Sequence, residues 1–131
     1  MTCNQLTPLP GRDPWAATRV AVYKNLHRGQ WSVRALDGAH KGKVVAHAST
    51  VGLLHAHMHV NERAQQRIAG GAVREVHAWV TGTLGDVRLA VPTRLTYRPH
   101  ERAVFFRLDT GAAVWTAPAV LFTDAAWIEA A

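Results

Sequence analysis

Apolar and polar residues alternate along much of this chain, a two-residue period that predicts β-strands with one buried face. In the clearest case Trp31, Val33 and Ala35 are apolar, while Gln30 and Arg34 are polar. Further strands are predicted at 20–24, 43–47, 54–60, 76–80, 94–98, 103–108 and 112–122. Short strands at this spacing predict a mainly β fold, either a small barrel or a sandwich.

Part of this pattern occurs twice in the chain. The matching residues are Tyr23 and Tyr97, His27 and His100, Arg34 and Arg107, and Leu36-Asp37 and Leu108-Asp109. Internal repeats constrain the architecture of a whole chain, and this one is too short for a solenoid. It predicts a duplicated β-meander over residues 20–51 and 94–122. Arg34 and Arg107 would then occupy matching places in the two halves.

The length of the chain, 131 residues, is enough for one domain with a single hydrophobic core. Residues 1–14 are rich in proline and contain no apolar signal-peptide segment, so we expect a flexible leader before one domain at 15–131. One short helix is predicted near 61–69, because Asn61 can cap its start and two glycines end it.

Proline and the large apolar residues add two expectations about the sheet. Pro118 lacks an N–H group, which favours an edge position for the last long strand, or a break in it. The large apolar residues on the buried faces should form the core. The predicted core side chains are Trp31, Val33, Val104 and Phe106.

The chain is basic, with a net charge of +6 and a pI near 10.5. A positive field attracts polyanions, so nucleic acid, a nucleoprotein complex or an acidic protein surface is the expected partner. A membrane partner is not expected, because no window approaches the ~18 apolar residues of a membrane span. Cys3 is the one cysteine, which excludes an intrachain disulfide and fits a reducing cytoplasm.

The chain contains none of the common catalytic or nucleotide-binding motifs. The serine elbow Gly-x-Ser-x-Gly, the Walker loop and Gly-x-Gly-x-x-Gly are all missing from it. We therefore expect a non-enzymatic binding protein without a cofactor. The candidate binding residues are basic side chains on predicted strands, turns and the helix: Lys24, His27, Arg28, Arg34, Arg63, Arg67, Arg98, Arg102 and Arg107.

A cluster of histidines suggests a second hypothesis. Residues two apart project from the same face of a strand at ~6.6 Å, so His55 and His57 could share one metal ion. With Glu62 they resemble the first metal-binding motif of the cupin family, whose second motif is missing from this chain. The alternative is a half-exposed strand whose outer face is histidine.

Longer strings resemble small basic proteins of phages and mobile elements. They are Tyr23-Lys24-Asn25-Leu26-x-x-Gly29-x-Trp31-Ser32-Val33, Gly42-Lys43-Val44-Val45-Ala46-His47-Ala48, Arg74-x-Val76-His77-Ala78-Trp79-Val80-Thr81-Gly82 and Tyr97-Arg98-Pro99-His100. The resemblance implies a genomic setting in which such proteins bind nucleic acid or block host defence, as anti-CRISPR proteins do. It carries no site residues.

Three functional hypotheses follow. The first is a binding protein that engages nucleic acid or a nucleic-acid-handling complex, of which an anti-CRISPR-like inhibitor is one form. The second is the cupin-like metal-binding protein. The third is a phage structural or assembly component, in which the duplicated meander would be a packing unit.

Overall fold

The computed structural model describes residues 5–25, 30–60, 78–89, 91–98, 102–123 and 128–131. A single turn of 3-10 helix, Pro14–Ala16, precedes the second strand. The strands in chain order are β1 (Leu6–Pro8), β2 (Val20–Asn25), β3 (Gln30–Ala35), β4 (Val44–Ala48), β5 (Val51–Val60), β6 (Ala78–Leu84), β7 (Thr93–Arg98), β8 (Arg102–Arg107), β9 (Thr116–Phe122) and β10 (Ile128–Ala130).

Within these ranges the strands form one ten-stranded antiparallel sheet, ordered β1-β4-β3-β2-β6-β5-β9-β10-β7-β8. The mainly β prediction is confirmed. The sheet is open, with β1 and β8 at its two edges, so the barrel form of the prediction is wrong. The predicted helix near 61–69 lies outside the described residues. No helix in the described part of the chain has the length and hydropathy needed to cross a membrane.

The two units have matching strand orders when each is read from its outer edge to the centre of the sheet. The first unit, β2 to β6, has the order β4-β3-β2-β6-β5, and the second unit, β7 to β10, has the order β8-β7-β10-β9. The second unit continues past β8, because Ala113 bridges to Phe106 and the Val114 N–H donates to the Phe105 carbonyl oxygen at 2.8 Å. β5 and β9 join the units. The matching strand order of the two units supports the duplication, which stays a prediction.

The core lies between the inward faces of both units. Trp31, Val33 and Ala35 are buried in it, as their alternation predicted. The Trp31 ring meets Phe122 edge-on, with centroids 4.8 Å apart, and its Nε1–H donates to the Thr123 carbonyl oxygen at 2.7 Å. Trp31 therefore ties a strand of the first unit to the end of β9 in the second.

The second unit departs in part from the predicted core. Phe106 is buried, as predicted, but it lies outside the main core cluster, which contains Phe105 instead. The two side chains point to opposite faces because they are neighbours on a strand. The side chain of Val104 lies outside the described residues.

The flexible leader is wrong for residues 6–8, and the edge position predicted for Pro118 holds only locally. Leu6–Pro8, placed in the predicted leader, forms β1 and pairs with β4. Pro118 lies on β9, which is an interior strand between β5 and β10. Its missing N–H is tolerated there because β10 ends opposite Val120, so that β5 alone flanks Pro118.

Candidate nucleic-acid interface

The outer face of the first unit, opposite the core, carries a row of side chains set by strand register. Ala21 on β2 pairs with Arg34 on β3 and with Thr81 on β6, and Thr81 pairs with His57 on β5. Paired residues share a face, so these four side chains form one line across four strands. Arg34 and His57 are exposed, as the prediction for Arg34 required, while the small residues Ala21 and Thr81 are buried between larger neighbours.

A second line of side chains, here called the aromatic row, lies beside the first. It consists of Tyr23, Trp79 and His59, all half-buried. His59 pairs with Trp79, and the next position of the β2–β6 ladder after Val22–Val80 sets Tyr23 opposite Trp79. The His59 and Trp79 rings are stacked, 5.5 Å apart with an interplanar angle of 12°.

His59 also joins the two lines of side chains. Its Nε2 hydrogen-bonds with the Thr81 hydroxyl at 2.9 Å. Burial lowers the pKa of His59 below its usual range, and electrostatic interactions with His57 and Arg19 lower it further. His59 is therefore neutral at pH 7, so its ring contributes a flat, uncharged surface to the aromatic row.

Five cations, here called the basic cluster, lie near the ends of β2, β3 and β4 or in the loops beside them: Arg12, Arg19, Arg34, Lys41 and Lys43. The Arg12 guanidinium donates to the carbonyl oxygen of Val44, the residue paired with Arg34. The Ala35 N–H donates to the Lys43 carbonyl oxygen at 3.0 Å, which holds Lys43 beside β3. Within the described residues, none of the five forms an ion pair with an acidic side chain.

Asp37, the aspartate three residues after Arg34, is occupied by the backbone. Asp37 Oδ1 accepts the N–H groups of Thr18 at 2.7 Å and of Arg19 at 3.3 Å. Gly38, which follows it, has φ +76°, and a Cβ there would approach the Ala16 carbonyl oxygen to 2.9 Å. The tight turn therefore holds Asp37 against the start of β2 and leaves the Arg34 side chain unpaired within the described residues.

Arg107, the sequence match of Arg34, lies in a different setting. Its Nε and Nη2 donate to the two carboxylate oxygens of Asp109, at 3.0 and 2.9 Å. These hydrogen bonds lower the pKa of Asp109 and raise that of Arg107. Arg107 also pairs across the sheet with Leu95, a core residue, whereas Arg34 pairs with Ala21 on the outer face. The predicted equivalence of Arg34 and Arg107 is therefore wrong.

Of the remaining candidate cations, Lys24 alone has a side chain within the described residues. Lys24 is exposed but pairs with Trp31, so it lies on the opposite face of the sheet from Arg34 and Tyr23. His27, Arg28, Arg63 and Arg67 lie outside the described residues, as do the side chains of Arg98 and Arg102.

Sequence reasoning missed most of the basic cluster and the whole aromatic row. Lys41 and Lys43 flank Gly42 in a polar loop directly after β3, and that position was the available signal for them. Arg19 sits one residue before β2. The aromatic row had no local signal, because Tyr23, His59 and Trp79 are distant in sequence and become neighbours through the pairing of β6 with β2 and β5.

The histidine pair does not have the regular strand geometry that the metal hypothesis assumed. Leu54 pairs with Thr83 and His57 with Thr81, so His55 and Ala56 together face one residue of β6, as a β-bulge. His55 adopts φ +53° at this bulge. In the described ranges no group of three or more His, Cys, Asp or Glu side chains could hold a metal ion, and Glu62 lies outside those ranges.

Comparisons with known proteins place the chain in a phage family. Residues 14–130 match the family model of the Mycobacterium phage L5 gene 82 protein. The Gene 82 protein of Mycobacterium phage L5 is 32% identical over 114 residues, which cover 81% of this chain and 90% of that protein. No solved structure matches. The predicted resemblance to phage proteins is confirmed: the chain belongs to the Mycobacterium phage L5 gene 82 protein family.

Proposed function

We propose that this member of a phage protein family binds nucleic acid through the outer face of its first unit. The basic cluster supplies the charge for phosphate contacts, and Arg34 lies where this cluster meets the aromatic row. The observation that carries the proposal is that Arg34 lies on the sheet face that presents the aromatic rings, while the other four cations lie in the adjoining loops. None of the five is ion-paired within the described residues.

Charge complementarity supports a polyanion as the partner. Four of the five cations, Arg19, Arg34, Lys41 and Lys43, are exposed. Arg34 is held by the pairing of β3 with β2, and the backbone of Arg19, Lys41 and Lys43 is hydrogen-bonded to Leu36, Gly38 and Ala35, so little ordering of the backbone is required. Each contact with a phosphate releases condensed counterions, which makes affinity fall with salt.

In a second form of the same proposal, the partner is a nucleic-acid-handling complex of the host. Its exposed nucleic acid, or an acidic protein surface that resembles a phosphate backbone, would meet the same cations. An anti-CRISPR-like inhibitor is one protein of this kind. Binding to naked nucleic acid distinguishes the two forms, because a protein that recognises only an acidic protein surface would not bind naked DNA or RNA.

The test is a salt titration of binding to fluorescently labelled oligonucleotides, followed by anisotropy. For wild-type protein we expect affinity to fall steeply between ~50 and ~200 mM salt. The variant R19A/R34A/K43A should lose at least tenfold in affinity at low salt and show a shallower slope, by about two units or more.

The matched control is Arg88→Ala, which removes an exposed cation outside the basic cluster. It should leave the slope close to that of wild type. Equal losses in the control and in each single variant of the cluster would mean that net charge alone attracts the oligonucleotide. Undetectable binding of any DNA or RNA at ~50 mM salt would remove the nucleic-acid form of the proposal.

A further inference from the structure

Resting on the proposed function, we infer that the nucleic acid held by this face is single-stranded, with unpaired bases against the aromatic row and the backbone along the basic cluster. The juxtaposition of three ring side chains with Arg34 on one sheet face, and with Arg19 directly before β2, carries this inference. The aromatic row favours single-stranded over duplex nucleic acid, a distinction that the basic cluster by itself does not make.

The register gives the face its dimensions. The aromatic row crosses β2, β6 and β5, so its outer rings are about 10 Å apart at ~4.8 Å per strand. Arg19 directly precedes β2 and is four residues from Tyr23, roughly 13 Å along an extended chain. A short stretch of single strand can therefore touch the rings and the cations at once.

Between the rings and the cations the surface is formed by small side chains. Ala21 and Thr81 occupy this strip, and both are almost fully buried although they point away from the core. Larger side chains on either side therefore rise above them, with Arg34 at one end of the strip and His57 at the other. A strip with a low centre and raised sides accommodates an extended single-stranded nucleic acid better than a rigid duplex.

The chemistry of the row suits bases more than phosphates. Tyr23, Trp79 and His59 are half-buried, so each keeps part of its surface exposed to solvent. His59 is stacked on Trp79 and neutral at pH 7, so the row presents apolar ring surface and little charge. Aromatic side chains bind single strands by stacking with bases of any sequence.

Duplex nucleic acid matches this face less well. Its bases are paired and stacked on one another, so a sheet face meets mainly phosphates and groove edges. A duplex would contact Arg19, Arg34 and the lysines through its phosphates, and its bases would not reach the aromatic row. Single-stranded RNA and single-stranded DNA share the chemistry inferred here, and the oligonucleotides used in the test distinguish them.

The test compares three labelled probes of equal length, oligouridine, oligothymidine and a mixed-sequence duplex, at the same salt concentration. We expect at least one single strand to bind at least tenfold more tightly than the duplex. Trp79→Leu should weaken single-strand binding about fivefold or more and change duplex binding little. Trp115→Leu, which removes an exposed tryptophan outside the row, is the matched control and should leave both unchanged.

Fold integrity is followed by circular dichroism and thermal unfolding. Trp79→Phe keeps an aromatic ring and should restore most of the single-strand affinity that Trp79→Leu loses. If Trp79→Leu does not fold, Tyr23→Ser and His59→Leu test the row at its two ends, and each should lower single-strand affinity selectively.

Two outcomes would overturn the inference while the proposed function survives. One is a duplex that binds as tightly as the tighter of the two single strands. The other is a folded Trp79→Leu variant that binds single strands like wild type while R19A/R34A/K43A loses affinity. Failure of all three probes to bind would instead count against the proposed function itself.

Discussion

The two Leu-Asp dipeptides show how one short sequence serves two different purposes. In the first unit Asp37 accepts two backbone N–H groups at the start of β2, and Arg34 stays unpaired within the described residues. In the second unit both carboxylate oxygens of Asp109 accept hydrogen bonds from the Arg107 guanidinium. The first arrangement leaves a cation available to a ligand, and the second neutralises one.

The difference arises from register. Arg34 lies opposite Ala21 on the outer face, whereas Arg107 lies opposite the core residue Leu95. A shift of one residue moves a side chain to the other face of a sheet, so matched residues in a repeat need not share surroundings. The proposed binding face is therefore placed on the first unit alone, although the sequence repeat favoured two equal halves.

The largest expected effect concerns the core contact between the units. Trp31→Ala removes the edge-on contact with Phe122 and the hydrogen bond to Thr123, so we expect a loss of roughly 3–5 kcal/mol in the free energy of unfolding. Denaturant unfolding followed by fluorescence measures it. Trp31→Phe should recover part of the loss, and a loss well under ~1 kcal/mol would show that the ring is not a core element.

A smaller effect should separate the two aspartates. Asp37→Ala leaves the Thr18 and Arg19 N–H groups without their acceptor, which should cost about 1 kcal/mol. Asp109→Ala breaks an ion pair between exposed side chains, so no measurable change in the unfolding midpoint is expected. Urea unfolding of both variants tests the comparison, which fails if Asp109→Ala is the more destabilising of the two.

The first unit should also respond to mild acid. Because the pKa of His59 is lowered by burial and by nearby positive charge, the unfolded chain takes up this proton at higher pH than the folded one. His59 therefore contributes stability that is present above the ordinary pKa of 6.5 and is lost as pH falls toward the lower folded value. His59→Phe, which keeps a ring beside Trp79, should flatten the decline in Tm between pH 7 and pH 5. An identical decline in wild type and variant would assign the effect to other histidines.

Local patterning was enough to predict most strands, because alternation reports which residues of a strand are buried. Strand pairing was out of reach. The positions of β6 and β10 inside the sheet, between strands distant in sequence, could not be inferred from alternation. The bulge at His55 was equally hidden, since it depends on how β5 pairs with β6 and it shifts the inward residues from Leu53 to Ala56.

The same limit explains why the candidate site was predicted only in part. Arg34 was found because its exposure follows from one strand. The aromatic row was missed because its three members come from three strands, and Lys41 and Lys43 were missed because they lie in a loop without periodicity. Arg107 was overvalued because the pairing of Arg107 with Leu95 and its contact with Asp109 are properties of the fold.

The most direct test of the central claim compares Arg34→Ala with Arg107→Ala in one oligonucleotide-binding experiment over a range of salt. Both substitutions remove one positive charge, from an unpaired cation at Arg34 and from the ion pair with Asp109 at Arg107. Arg34→Ala should lower affinity severalfold and reduce the slope of log affinity against log salt by ~0.7 to ~0.9, the contribution of one phosphate contact. Arg107→Ala should leave affinity and slope close to wild type. Equal losses in the two variants, or a larger loss for Arg107→Ala, would contradict the assignment of binding to the first unit.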